Sequence, residues 1–361
     1  MKSLNMKKSI LFIFPYNTWG GAFRSTYILS NNLIQRGWEV DIIFPIIPPR
    51  NGFKIFSINW IKLKILGIGR SLIRRNKVKI DCKANIKIIP WISQIWIKNY
   101  SFIVANHWNT VQDVYNLPQR CGEKYHYIRD IDLEEHIFES SAKTFKLPLK
   151  KIVVASWIST YLNQKYGINP NAIITNGTDI KPFILKRKKP KEITIGMCCG
   201  NLDAKGTKYG LEGIKNAIFK LGKIQVILFG FKKPNTKIDF DYEWVQAPTG
   251  EKLREVYRKI HIFISPSLQE GFHNPPREAM AAECAVIATN VGCIPDIGEH
   301  NKNMKIVNPK DSSAITNSIL ELVNNRLLRK NISINGLKTI KKENWNSRVD
   351  IFEDLLLRRK K

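Results

Sequence analysis

The chain reads as an α/β protein of two doubly wound, Rossmann-like domains, and three observations predict it. Strand-like and helix-like segments alternate almost throughout its 361 residues, the pattern that builds parallel sheets flanked by helices. The chain opens with a strand, a glycine-containing turn, a helix, a glycine and a second strand, which is how a doubly wound half begins. After a basic tract near residue 190 a second series of the same kind starts. The length suits two domains of ordinary size.

Taken in order, residues 9–14 are a buried strand and residues 18–21 a turn. Residues 23–36 have helical spacing through Tyr27, Leu29, Leu33 and Ile34. Gly37 closes that helix, and residues 39–44 form the second strand. Pro45, Pro48 and Pro49 then interrupt the chain, and residues 53–80 carry eight Lys/Arg and no Asp/Glu among Ile, Leu and Trp. Strands resume at 101–105, 125–128, 151–155 and 172–175, with a helix at 157–166. The polar run from Lys186 to Lys191 reads as a linker. The second series has strands at 193–198, 225–229, 261–265 and 286–289, with helices at 208–221 and 252–259 and a helix-like run from Ala279. Residues 312–325, 328–342 and 345–357 close the chain as helices. The expected domains are 1–180, a linker at 181–192, 193–342, and a C-terminal helix at 343–361 that can cross back to the first domain. Two such domains in tandem leave an interdomain cleft, which suits an enzyme holding two substrates.

Composition narrows the class. A hydrophobic content of 43% with 24% charged residues describes a globular chain, not a disordered one. A net charge of +28 predicts attraction to anionic partners and says nothing about fold. Ile, Lys and Asn are all plentiful, so compositional bias competes with a selected electrostatic role. The six cysteines show no zinc-like spacing, and the Cys198-Cys199 pair reads as buried strand thiols, as in a reduced cytosolic protein. The apolar run after Lys7-Lys8 is short and ends at Pro15, so it reads as a strand, not a signal peptide.

The most informative segment is Glu270-Gly271-Phe272-His273-Asn274-Pro275-Pro276-Arg277-Glu278. It follows a strand, so Glu270 belongs on a loop at the strand's C-terminal end, and Glu278 is expected in the opening turn of the next helix. Open α/β sheets bind ligands there. A carboxylate accepts hydrogen bonds from sugar or ribose hydroxyls, and free helix N–H groups hold phosphate.

With three further motifs this segment resembles the retaining glycosyltransferases of family four, which have GT-B architecture. Ser265-Pro266-Ser267 precedes it, and Val291-Gly292-Cys293-Ile294-Pro295-Asp296 follows. The other motifs are Asn176-Gly177-Thr178-Asp179 with Phe183, the loop from Gly200 to Gly206, and Gly20-Gly21 after the first strand. Four motifs in order cover nearly the whole chain. The resemblance implies transfer of a hexosyl or deoxyhexosyl group from a nucleotide sugar, with retention, without metal and without a cofactor. The second domain would bind the donor and the first the acceptor, a lipid-linked or polymeric glycan of surface polysaccharide synthesis.

The resemblance also assigns roles. Glu278 would hold the donor ribose, and Glu270 would face the donor sugar. Gly271 and Phe272 would offer backbone N–H groups to sugar hydroxyls, His273 and Asn274 to the phosphates. Lys205 would stabilise the departing diphosphate, where charge develops in the transition state. Four positions earlier, at Asn201, the family usually has an arginine; Lys208 and Arg277 are the candidate substitutes. Gly20 and Gly21 would let the first loop pass close to the donor phosphates or the acceptor. His107 and Asp130 end strands of the first domain and are candidates for acceptor contacts or acid–base support. The family often uses a histidine near the second of these places, where this chain has Arg129-Asp130. Trp244, Val245 and Gln246 are loosely placed near the donor base. The expected location is cytoplasmic and peripheral on the inner membrane face, with residues 53–80 and the C-terminal Arg358-Arg359-Lys360-Lys361 meeting anionic lipid. Rival readings are a GT-B-like nucleotide-sugar epimerase and a non-catalytic basic module for nucleic acid or membrane. No nucleic-acid motif supports the last, so nucleic acid is not an expected partner.

Overall fold

The computed structural model describes residues 8–15, 21–47, 82–131, 135–183 and 192–357. The chain divides into two compact units, Met1–Asn176 with Arg348–Lys361, and Gly177–Ser347. The sequence motif at Gly20, the basic stretch 53–80, the linker tract from Lys186 and the last four residues lie outside the described residues.

Unit 1 is built on a seven-stranded parallel sheet. Its strands are β1 (Ser9–Ile13), β2 (Glu39–Pro45), β3 (Asn85–Ile89), β4 (Phe102–Ala105), β5 (Glu123–Ile128), β6 (Lys150–Val153) and β7 (Ala172–Ile173). The spatial order is β3-β2-β1-β4-β5-β6-β7. Every residue of β1 and of β4 is buried, as expected where helices cover both faces of a parallel sheet. The helices are α1 (Gly21–Gln35), α2 (Trp108–Asn116), α3 (Glu135–Phe145) and α4 (Ser156–Tyr166). Gly167 ends α4 in the left-handed region, its N–H bonded to the Asn163 carbonyl at 2.8 Å. The chain's last helix contributes Phe352, whose ring lies 6.3 Å from Phe12 and 6.4 Å from Tyr127. Glu353 beside it accepts hydrogen bonds from Trp38 Nε1 at 2.6 Å and Arg36 at 2.8 Å. Burial pushes the Glu353 carboxyl pKa up, but these donors outweigh it and leave the group below its usual range.

Unit 2 has six parallel strands in the order β10-β9-β8-β11-β12-β13. They are β8 (Thr194–Cys198), β9 (Gln225–Gly230), β10 (Glu243–Gln246), β11 (Ile262–Ser265), β12 (Ala285–Thr289) and β13 (Lys305–Val307). The helices are α5 (Thr207–Leu221), α6 (Gly250–Lys259), α7 (Asn274–Ala281), α8 (Ile294–Ile297), α9 (Ser312–Asn324) and α10 (Arg326–Lys342), and the last helix, α11 (Trp345–Leu356), belongs to unit 1 from Arg348 on. Alternate residues of the central strands supply two separate cores. Ile264 and Ile287 join one, Phe263 and Val286 the other. In each unit the strand order reverses beside the first strand, between β1 and β4 and between β8 and β11. Open sheets bind ligands at such switch points.

The structure moves one residue from its expected place. Helix α7 starts at Asn274, so Glu278 lies past the opening turn, which holds no acidic residue. Two prolines suit the start of a helix, where their missing N–H groups cost nothing, and they draw the boundary forward.

Candidate active site

The loops that follow β8 and β11 meet at the switch point of unit 2. Leu268 N donates to the Ala204 carbonyl at 2.7 Å, joining them. Gly206 has φ +58°, and a Cβ there would lie 1.9 Å from the Pro266 carbonyl oxygen, so only glycine permits this approach. Thr207 Oγ1 donates to the Gly200 carbonyl at 2.7 Å and accepts from Gly200 N at 3.1 Å, closing the first loop on itself. Held this way, Lys205 places its Nζ 2.8 Å from Glu270 Oε1. Ser267 Oγ donates to the same carboxylate oxygen at 2.8 Å. The carboxylate is 14% exposed and the lysine side chain 41%. The ion pair is thus half-covered, with the ammonium open on one side.

His273 stands next to this pair. Its backbone is left-handed, φ 83°, an uncommon state for a residue with a side chain. It is pinned on both sides: the Phe272 carbonyl accepts from Cys293 N at 2.7 Å, and the buried imidazole Nε2 is hydrogen-bonded to Ser265 Oγ at 2.7 Å. Gly292, at φ +63°, leaves the room; a Cβ there would lie 2.7 Å from the Phe272 oxygen. Burial pushes the His273 pKa down to about 4, with Glu270 acting against the fall and Lys205 adding to it. The ring is neutral near pH 7.

Glu278 faces outward from α7. Its Oε2 accepts from Tyr257 Oη at 3.1 Å, and Tyr257 is fixed on α6 by burial. Burial first, then the Glu278 and Cys198 charges, push the Tyr257 phenol well above its usual range, so it remains a donor. The Cys198 thiol at the end of β8 is pushed up to about 12 by burial, and Lys205, Glu278 and Glu270 all act on it.

Each expected residue can now be located. Gly271 and Phe272 are buried within the second loop, and Asn274 offers the first N–H of α7, while Pro275 and Pro276 offer none. Asn201 is exposed in the first loop. Arg277 does not point to solvent and packs on the Phe272 ring of the second loop. It is 1% exposed, with its guanidinium 4.7 Å from the Phe272 ring centre and near the Glu343 carbonyl, so it is not the missing loop arginine. In unit 1, Gly21 is the first residue of α1. His107 caps α2, its Nδ1 accepting from Asn109 N at 3.4 Å. Asp130 is exposed after β5 and accepts from Ile131 N at 2.8 Å. Sequence reading missed Tyr257, Ser267, Ser265, Thr207 and the direct Lys205–Glu270 pair. Ser265 and Ser267 stood in the flanking motif without an assigned role, and Thr207 lies directly after a loop glycine. Among the described residues no three His, Cys, Asp or Glu side chains come together as a metal-ligand set.

With this geometry in view, known proteins give a consistent picture. Residues 194–325 match the family described as glycosyl transferases group 1. The capsular polysaccharide biosynthesis glycosyltransferase CapM of Staphylococcus aureus is 29% identical over 50% of this chain and 52% of its own length. An uncharacterized glycosyltransferase of Methanocaldococcus jannaschii is 32% identical over 57% of this chain and 60% of its own. The matched stretch therefore spans little more than half of these relatives. Among solved structures, Anabaena HepE in complex with UDP-glucose superposes with a TM-score of 0.73 at 13% identity, covering 96% of this chain and 99% of that one. Over residues 194–325 the chain thus resembles group 1 glycosyl transferases, and its two parallel-sheet units share the GT-B fold of the solved structures.

Proposed function

We propose that this protein is a retaining glycosyltransferase that moves a sugar from a nucleotide-sugar donor to a glycan acceptor in surface polysaccharide synthesis. The observation that carries this reading is the Lys205–Glu270 pair at the switch point of unit 2, with Glu278 held by Tyr257 on the helix that follows, in a stretch whose sequence matches the family. Glu278, oriented by the Tyr257 hydroxyl, takes the donor ribose. Glu270 and the backbone of Gly271 and Phe272 face the sugar. Lys205 meets the diphosphate, exchanging its bond to Glu270 for one to the leaving group, while Ser267 keeps the carboxylate in place. The acceptor hydroxyl attacks the face that the nucleotide leaves, and the departing phosphate takes its proton. The side chains position reactants and stabilise charge, and no separate base is needed. HepE holds UDP-glucose in its solved structure, which supports a nucleotide-sugar ligand here.

The test is a thermal-shift series with UDP, GDP, dTDP and ADP sugars, followed by mass spectrometry of products formed with lipid extracts. One donor class should raise the melting temperature of the protein and not of Glu278→Ala. No shift with any nucleotide sugar would refute the reading.

Unit 1 also supports a peripheral membrane setting. Ile86, Ile88, Trp91, Ile95 and Trp96 are all exposed, a cluster too apolar for an ordinary surface, and Lys83, Lys98 and Arg120 are exposed around it. Among the described residues no helix is long and apolar enough to cross a membrane. Co-sedimentation with anionic, but not zwitterionic, vesicles should weaken when Trp91 and Trp96 are replaced by serine; equal sedimentation would exclude this face.

A further inference from the structure

Unit 1 holds a buried cation that meets no carboxylate among the described residues. Arg129, at the end of β5, bonds four neutral oxygens: Ser25 Oγ and Asn176 Oδ1 at 3.1 Å, Thr26 Oγ1 at 2.9 Å and Asn106 Oδ1 at 3.3 Å. Its guanidinium carbon lies 3.7 Å from the centre of the Tyr127 ring. Among the described residues no carboxylate pairs with it. Burial lowers its pKa, and Tyr127 alone acts in the other direction. Of two other buried cations, Lys305 meets Glu321 at 2.6 Å, while Lys151 is held by the Leu147 and Leu149 carbonyls at 2.8 and 3.0 Å. An unpaired buried charge is costly, and a fold keeps one where something else supplies the opposite sign.

Three features at this place favour an anion. Arg129 Nε and Asn106 Nδ2 are buried donors without a partner, and Asn106 as a whole is 3% exposed. Ser25 and Thr26 sit in the first turns of α1, bonded back to the Gly21 and Ala22 carbonyls. A guanidinium near a helix N-terminus has the wrong sign for the helix dipole, so the two positive ends need an anion between them. The cluster also occupies the switch point of this sheet, since Asn106 follows β4 and α1 follows β1.

We propose that Arg129 and Asn106 form a phosphoryl-binding site in unit 1. The four terminal N–H groups of Arg129 are already bonded, so the remaining Nε–H and the Asn106 amide N–H are the donors left for a phosphate's oxygens. The binding claim stands on this geometry alone. That the phosphoryl group belongs to the acceptor rests on the transferase reading, and makes that acceptor a phosphorylated one.

Calorimetric titration of inorganic phosphate and of phenyl phosphate into the full chain tests it. On the Lys205→Ala background, which removes the phosphate ligand of unit 2, phosphate should still bind, and Arg129→Gln on that background should bind it at least tenfold more weakly. In phosphate-free buffer Arg129→Gln should melt no lower than the parent, because the charge is unpaid there. Unchanged phosphate affinity in Arg129→Gln, or no binding by the parent at tens of millimolar, overturns the proposal; so does a variant that only melts lower. If Arg129→Gln does not fold, Asn106→Ala and Arg129→Lys decide, and unchanged affinity in both overturns it. Tighter binding of phenyl phosphate assigns the site to an ester, and equal binding to the free ion. Failure of nucleotide-sugar binding alone leaves this result intact and sinks only the link to an acceptor.

Discussion

The two switch points solve the same electrostatic problem in opposite ways. In unit 2 the cation is Lys205, half-exposed and already paired with Glu270. In unit 1 it is Arg129, covered and held by neutral oxygens. A paired, accessible charge can be released to a ligand at little cost, because Ser267 and water take up what the lysine leaves. A covered, unpaired charge cannot move, and it waits for a partner of the opposite sign. The comparison teaches that one sheet edge carries an exchangeable cation, suited to a leaving group whose charge appears during the reaction. The other carries a fixed one, suited to a group that is charged throughout.

The comparison breaks first at Lys205 and Glu278. Lys205→Ala should lower kcat by a hundredfold or more, about the effect of losing one charge-stabilising donor, with a smaller change in KM for the donor. Glu278→Ala should instead raise KM and abolish nucleotide-sugar protection. An equal loss of kcat in both would erase the assigned division of roles.

Acid sharpens it next. His273 has a folded pKa of about 4 against 6.5 unfolded, so the unfolded chain binds more protons between those values. Stability is complete above about pH 6.5 and falls as the pH drops towards 4, by on the order of 3 kcal/mol from this residue. His273→Gln should flatten that part of a melting-temperature profile. His126 in unit 1, pushed down to about 3 by burial first and then by Lys151 and His107, adds to the fall from about pH 6.5 and extends it towards pH 3. A profile unchanged by His273→Gln would show that the ring is not held neutral.

Smaller effects follow. Tyr257→Phe removes the donor that orients Glu278 and should raise the donor KM about tenfold with the melting temperature nearly kept. Ser267→Ala leaves Glu270 tied to Lys205 alone; kcat should fall only a few-fold, and a larger drop would mean that Ser267 itself touches substrate.

Much of this was legible in the chain. The long buried strands and the helices with full apolar stripes were found within a residue or two at most ends, because periodicity in 11 to 18 residues is a strong signal. The short strands β10 and β13 and the short helix α8 were missed, being too brief to show a period, and helices α2 and α3 were missed as well. Edge strand β3 was missed for another reason: it leaves Ile86 and Ile88 exposed, against the rule that apolar residues point inward.

At the site, the sequence by itself determined the ingredients: two acidic residues eight apart, a lysine before a glycine, and prolines that start a helix. Their identity and spacing are local facts, and local sterics fix the loop and the cap. Only the tertiary structure decided the partners. Lys205 meets Glu270 across 65 residues, Tyr257 meets Glu278 across 21, and Arg129 reaches Ser25 across 104. Such contacts follow from strand order in the sheet, and a non-local pairing is set by the packing of the whole domain, which no window of sequence contains.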